Sequence, residues 1–128
     1  MNPKKQHYQK LAATMIKNLE RRNMEGYYCE TSAEAVSLAM SMIPKDASVS
    51  FGGSMTFEEG GMYEALKASN LRLIDRNLAK TPEEKKQSFR DSIASDYFFM
   101  SSNAITIDGE LINIDGNGNR VACLVQGP

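Results

Sequence analysis

The chain has 128 residues, with 15 lysines and arginines against 16 aspartates and glutamates and a formal net charge of −1 at neutral pH. That length suffices for one domain, residues 1–128, with its own core, and so even a charge balance, with no long basic run, argues against a nucleic-acid partner. No apolar run approaches a membrane span or a secretory leader, so the sequence reads as a cytoplasmic protein without a membrane partner. Cys29 and Cys123 are too few and too far apart for a ligand cluster, and no metal site is expected. They read as small buried thiols, with a disulfide between them as the alternative.

An N-terminal segment, 1–25, carries a helix over 3–23 with apolar residues at Tyr8, Leu11, Ala12, Met15, Ile16 and Leu19. Lys10, Lys17, Arg21 and Arg22 form its opposite, solvated face. His7 has no second ligand or nucleophile beside it and is given no role. A short strand over 27–30 leads to Thr31 and Glu34, which fit a capping box before a helix over 32–43. Met40 and Met42 suit gap-filling in a core better than a soft-metal site.

A strand over 47–51 runs into Gly52-Gly53-Ser54, and Thr56 with Glu59 offers a second capping box. Strand, glycine turn and helix in this order form a place where backbone amides hold an anion, or else simply a tight turn. The segment is neither a dinucleotide fingerprint nor a P-loop, since it lacks G-x-G-x-x-G and the P-loop lysine. Gly60-Gly61 inside the following helix costs roughly 1 kcal/mol per glycine relative to alanine, which points to close packing or a kink. A third strand over 71–76 ends in the charged pair Asp75-Arg76. Thr81-Pro82-Glu83-Glu84 then opens a helix with cap, proline and capping box together, and Phe89 and Ile93 mark its buried side.

A fourth strand over 97–100 delivers the chain to a β-hairpin over 103–115. Asp108-Gly109 is the strongest short hairpin signal, a two-residue turn with positive φ at both positions. In that register Ile107 faces Glu110, Ile105 faces Ile112 and Asn103 faces Ile114. Ile105, Ile107, Ile112 and Ile114 then share a core face, with Thr106, Leu111, Asn113 and Asp115 on the other. The loop that follows, Asp115-Gly116-Asn117-Gly118-Asn119, favours left-handed backbone and leaves amide N–H groups free for a ligand. Val121, Ala122, Leu124 and Val125 fit a last short helix starting near 117–119 and ended by Gly127-Pro128.

Strands alternating with helices imply an α/β fold, with a mostly parallel sheet covered on both faces and right-handed crossovers. Ligands bind such sheets at the carboxyl ends of the strands. Those ends are Glu30-Thr31, Gly52-Gly53-Ser54, Asp75-Arg76 and Ser101-Ser102-Asn103, and the hairpin loop is expected to close over them. The candidate ligand-binding set is therefore Gly52, Gly53, Ser54, Asp75, Arg76, Asn103, Asn113, Asp115, Gly116, Gly118, Asn119 and Arg120. Its ligand is expected to be a small anionic metabolite, clamped by Arg120 or Arg76. Asp75, Asp115, Glu58 and Glu59 are the candidate acids or bases, although capping explains Glu59 and a turn explains Asp115. Ser54 or Ser102 as nucleophile lacks a histidine to activate it. No catalytic residue and no cofactor is assigned, and turnover stays open.

Gly52-Gly53-Ser54-Met55-Thr56-Phe57-Glu58-Glu59, Ile74-Asp75-Arg76, and the stretch from Ser102-Asn103-Ala104-Ile105-Thr106 through Asp108-Gly109-Glu110-Leu111 to Asn113-Ile114-Asp115-Gly116-Asn117-Gly118-Asn119-Arg120-Val121-Ala122 closely resemble the LUD domain of lactate-utilization proteins. The resemblance covers most of the chain. It implies a Rossmann-like three-layer α/β/α fold within the sugar-phosphate isomerase and CoA-transferase-like group. It also implies a role beside iron–sulfur oxidoreductase subunits that oxidise L-lactate to pyruvate. Such domains continue past the position of Gly127-Pro128 into another apolar strand and helix, so the resemblance implies either a truncated form or a partner chain, as in a homo-oligomer, that covers the sheet edge. Larger members carry iron–sulfur cysteine clusters that two isolated cysteines do not supply. Relatives in the isomerase branch place an acid where this chain has Asn103, and an amide does not shuttle a proton. Three readings follow: a ligand-binding or accessory subunit of lactate utilization, a stand-alone isomerase or acyl- or CoA-transferase-like enzyme, and a structural assembly subunit.

Overall fold

The computed structural model describes residues 2–128. In chain order the elements are α1 (Pro3–Arg21), α2 (Ser32–Met42), β1 (Ser48–Phe51), α3 (Met55–Glu59), α4 (Met62–Ala68), β2 (Arg72–Leu73), a 3-10 turn (Arg76–Leu78), α5 (Pro82–Ile93), β3 (Tyr97–Phe99), β4 (Ala104–Ile105), β5 (Leu111–Ile112) and α6 (Asn119–Gln126). This is a Rossmann-like α/β fold with an all-parallel sheet in the order β2-β1-β3 and a separate antiparallel pair, β4-β5. No helix among the described residues is long and apolar enough to cross a membrane. Internal contacts gather into two units: residues up to Thr31 with Ser102–Ile114, and Ser32–Ser101 with Asp115–Pro128.

The larger unit is built on β1, which pairs in parallel with both other strands of its sheet. Successive strand side chains point to opposite faces, and here the alternation is apolar, hydroxyl, apolar. Val49 and Phe51 pack with Phe57, Met62 and Leu66, joined by half-buried Val36, Met40 and Ile43 of the α2 region. Phe51 stacks on Phe57 with ring centroids 4.8 Å apart. Burying each such side chain contributes about 1.5–3 kcal/mol. Ser50 turns the other way, fully buried, and donates a 2.5 Å hydrogen bond to Ser92 of α5. Ser92 in turn donates to the Ser88 carbonyl at 2.8 Å, so the two hydroxyls enter the interior already partnered. Helices thus cover the sheet on both faces. The register of β1 against β3 is fixed where they enter: Ser48 N–H donates to the Asp96 carboxylate and Asp96 N–H to the Ser48 hydroxyl, each at 2.9 Å.

Several sequence expectations hold locally. Thr81 and Glu84 form the full capping box, with Glu84 N–H donating to Thr81 Oγ1 at 3.1 Å and Thr81 N–H to the Glu84 carboxylate at 3.2 Å. Cys29 and Cys123 are both free thiols, although only Cys123 is buried and Cys29 is half-buried. Others fail for identifiable reasons. Residues 27–30 pair with no strand and form none, because β-propensity without a neighbouring strand does not make a ladder. The third strand stops at Leu73, since the Asp75 carboxylate accepts from Asn77 N–H at 3.0 Å and starts the 3-10 turn instead. Ser54, not Thr56, caps α3: its hydroxyl accepts from Phe57 N–H at 3.2 Å, and Thr56 lies inside the helix. The helix predicted through Gly60-Gly61 is broken there, with Gly61 at φ 95° opening α4.

In the smaller unit, α1 ends with Met24 N–H on the Leu19 carbonyl at 3.0 Å and Asn23 N–H on the Glu20 carbonyl at 3.1 Å. This is a Schellman closure, with Asn23 supplying the left-handed residue at φ 62°. The hairpin departs from its expected register by one residue. Ala104 pairs with Ile112 and Ile105 with Leu111, and Thr106 N–H donates to the Glu110 carbonyl at 2.9 Å. The loop therefore has three residues, Ile107-Asp108-Gly109, with Gly109 N–H on the Thr106 carbonyl at 3.0 Å and Gly109 at φ 84°. Asp108 has no positive φ, so this is a turn followed by a glycine bulge and not the two-residue turn. Because the side-chain period is two, the slip separates Ile105 from Ile112. Ile105, Ile107, Ile112 and Ile114 are all exposed, whereas Leu111 is half-buried. What selects this turn is α1. Asn18 Nδ2 donates to the Ile107 carbonyl at 2.8 Å and Arg22 Nε to the Asp108 carbonyl at 3.1 Å. Gly109 lies so close to the helix that an added Cβ would stand 2.9 Å from the Asn18 carbonyl carbon.

Gly109→Ala combines that overlap with a left-handed φ and is expected to destabilise by about 1–3 kcal/mol. Gly116→Ala, with open space around it and no positive φ, should stay within about 0.5 kcal/mol of wild type. Urea unfolding midpoints compare the two, and equal midpoints would contradict the bulged turn.

Candidate anion-binding site

The site lies in the larger unit where β1 ends. Gly52 N–H still donates to the Phe99 carbonyl at 2.8 Å, so the backbone stays bound to β3 for one residue past the strand and then turns away. Long side chains lie directly over the Cα faces of Gly52 and Gly53. A Cβ on Gly52 would lie 3.5 Å from Arg120 Cγ and from Phe98 Cζ, and one on Gly53 would lie 3.2 Å from Arg76 Nη1. Consecutive Cα atoms are about 3.8 Å apart. Two arginines, one from the 3-10 turn and one from α6, therefore cross adjacent peptides at the carboxyl end of the central strand.

Beside them is a cavity of about 240 Å³. One wall is a stripe of α5, Lys85, Ser88, Phe89 and Ser92, at the i, i+3, i+4, i+7 spacing of a single helix face. Phe98 of β3 supplies the floor, and Asn117, Asn119, Arg120 and Cys123 close the α6 side. Arg76, Lys85 and Arg120 all line this space, and neither a carboxylate nor a histidine is among its lining residues.

The glycine loop has one of its own amides, that of Asn117, engaged by Asp115. The Asp115 carboxylate accepts from Val121 N–H at 3.1 Å, with further support from the backbone N–H groups of Arg120 and Asn117 and from the Arg120 charge. Foremost the Val121 bond, and then these, hold the Asp115 carboxyl below the usual carboxylate range. A carboxylate from within the chain thus takes the place at the α6 N-terminus that the sequence reading reserved for a ligand. Burial, with a smaller push from Asp115, raises the Cys123 thiol, which keeps it protonated and unreactive.

Of the residues expected at a site, Gly52, Arg76, Asn119 and Arg120 line the cavity, and Gly53 lies beside Arg76. Ser54 caps α3 and shares a 2.7 Å hydroxyl contact with Ser101. Asp75 has one oxygen on the 3-10 turn and the other on the Tyr63 hydroxyl at 2.6 Å, a bond that chiefly raises the Tyr63 hydroxyl. Glu58 accepts from Asn77 Nδ2 at 3.4 Å. Gly116 belongs to the loop, and Gly118 is the N-cap of α6. Asn103 and Asn113 belong to the other unit. There Asn103 Oδ1 accepts from Ile114 N–H at 2.8 Å, and Asn113 Oδ1 is buried with no partner among the described residues. The sequence reading missed Lys85, Ser88, Ser92, Phe98, Asn117 and Cys123. The α5 stripe was visible in the helical spacing, but Lys85 looked like any solvated charge.

The LUD domain family model matches residues 12–128. The chain belongs to the LUD domain family. No curated protein and no solved structure matches it. In this LUD domain Asp115 thus serves the start of α6, and Arg120 reaches over Gly52.

A carboxyl held low in the folded state contributes stability that is present above the unfolded value of about 4 and is lost as pH falls through the folded value. Asp115→Asn removes that linkage. It should lower Tm at pH 7 and make the loss of Tm on acidification below about pH 4 shallower than in wild type. Thermal unfolding followed by circular dichroism across that range measures both effects.

Proposed function

We propose that this LUD domain is a ligand-binding or accessory subunit of L-lactate utilization, and that it binds a small anionic metabolite in the cavity at the carboxyl end of β1. One observation carries the reading: Arg76, Lys85 and Arg120 line a single cavity whose lining includes no carboxylate. Three cations brought together repel one another, and with Asp115 offsetting Arg120 the positive charge that remains suits an incoming anion. The volume of about 240 Å³ falls below the roughly 300–1,000 Å³ of pockets that enclose drug-sized ligands. This favours a small metabolite over an enclosed coenzyme A.

Turnover by this cavity is the weaker reading. Of the four candidate acids, Asp75 and Asp115 are engaged in capping, and none of the four is among the lining residues, which include neither a carboxylate nor a histidine. The family link to lactate oxidation supports an accessory role in the cytoplasm beside iron–sulfur oxidoreductase subunits, with a second copy of the chain or those subunits as protein partners.

Calorimetric titration of the folded protein with lactate, pyruvate, sugar phosphates and coenzyme A should give saturable binding to at least one small anion. Arg120→Ala should weaken it by about tenfold to a hundredfold, the loss expected for one charge-assisted hydrogen bond. Absence of binding by a protein with a cooperative melting transition would count decisively against the proposal.

A further inference from the structure

The placement of the cations narrows the ligand class. We infer that the cavity is a site for a phosphoryl group on a small organic molecule, and that lactate and other monocarboxylates are not its preferred occupants. This rests on the reading of the same cavity as an anion site and deepens it.

The argument begins with charge. Arg76, Lys85 and Arg120 contribute three positive charges to the lining. The nearby Asp115 carboxylate is coupled to Arg120 and offsets one of them. An excess of two remains, which a monocarboxylate leaves half unmatched and a phosphate monoester, carrying close to two negative charges at neutral pH, satisfies. Convergence is the second step. Arg76 lays its guanidinium over Gly53 and Arg120 runs its aliphatic stem over the adjacent Gly52, and with Lys85 both line one space of about 240 Å³, so the three charges bound a single small cavity. A dicarboxylate presents its two charges at separate planar groups. A phosphoryl group concentrates both on one tetrahedral centre whose three terminal oxygens accept from several directions. The three cations come from three different elements, the 3-10 turn, α5 and α6, an arrangement that surrounds one centre and does not line up along a chain.

The remainder of the cavity is suited to carbon. Phe89 and Phe98 supply apolar surface next to the cations, so an organic phosphate gains contacts that inorganic phosphate lacks. At about 240 Å³ the space lies below the roughly 300–1,000 Å³ of pockets for drug-sized ligands. That is room for a phosphorylated small acid or polyol. The Ser92 hydroxyl is held by Ser50 and the Ser88 carbonyl, so the α5 wall is a rigid surface.

The test is calorimetry on the full chain at low salt with matched probes: phosphoglycolate, inorganic phosphate, malonate, glycolate and lactate. At pH 7, phosphoglycolate should bind about tenfold or more tightly than malonate, glycolate or lactate, and more tightly than inorganic phosphate. Its affinity should fall by about tenfold between pH 7 and pH 5, as the second phosphate proton returns near pH 6, a range in which no lining histidine or carboxylate titrates. Lys85→Met and Arg76→Met should each weaken phosphoglycolate by about tenfold or more while leaving the melting temperature close to wild type. Malonate binding as tightly as phosphoglycolate overturns the phosphoryl assignment and keeps the anion reading, and so does equal binding of lactate or an affinity indifferent to pH. An unchanged affinity in Lys85→Met overturns it as well. A folded protein that binds none of the probes overturns both.

Discussion

The four residues of β1 carry the constraint on which the rest of the larger unit depends. Because β1 has a strand on each side, its backbone groups are committed to the ladder and its side chains have only two directions. Val49 and Phe51 take the direction of the apolar cluster, and Ser50 takes the direction of α5. A slip of one residue would send a hydroxyl among aromatic rings and two large apolar side chains against the Ser88–Ser92 hydrogen bond, with each mismatch unfavourable. The reciprocal bonds between Ser48 and Asp96 set that register at the start of the strand. The same register decides what happens at its other end, since it fixes which peptides follow Phe51 at the sheet edge.

At that edge the two glycines matter for what they omit. Neither Gly52 nor Gly53 has a positive φ, so the backbone does not require glycine for its conformation. A Cβ on Gly53 would crowd the Arg76 guanidinium, whereas one on Gly52 would meet Arg120 only at ordinary contact distance. Small residues there let guanidinium groups lie against the end of the sheet, where a ligand reaches them without entering the core. The binding reading therefore rests on geometry created by missing atoms as much as on charge.

Much of this was legible in the sequence, and the illegible parts share a cause. The capping box at Thr81 that starts α5, the parallel sheet and the terminal helix are local or periodic signals, and they hold in the structure. The hairpin is different. Asp108-Gly109 satisfies either a two-residue turn or a turn with a bulge, and the choice was made by Asn18 and Arg22, nearly ninety residues away in sequence. A four-residue stretch rich in tyrosine at 27–30 had the composition of a strand and no neighbour to pair with. Likewise Lys85 gave no sign in sequence that it differs from other helix-surface lysines, because its significance comes from Arg76 and Arg120. Tertiary neighbours decide each of these cases, and propensity does not report them.

The loop at 115–120 shows how the same composition serves two ends. Glycine and asparagine there suggested amides kept open for a ligand, yet Asp115 precedes them and its carboxylate binds the start of α6. An external anion that displaced it would remove the helix cap and leave a carboxylate close beside the incoming charge, an unfavourable exchange at short range. The backbone amides are therefore poor candidates for recognition, and the long cationic side chains are better ones. Side chains of that kind adapt their tips to a ligand and are screened by salt. If the cavity binds anions as proposed, selectivity among them would depend on the aromatic surface of Phe89 and Phe98 and on the hydrogen-bonded serines of α5, which limit the shape that can approach the charges.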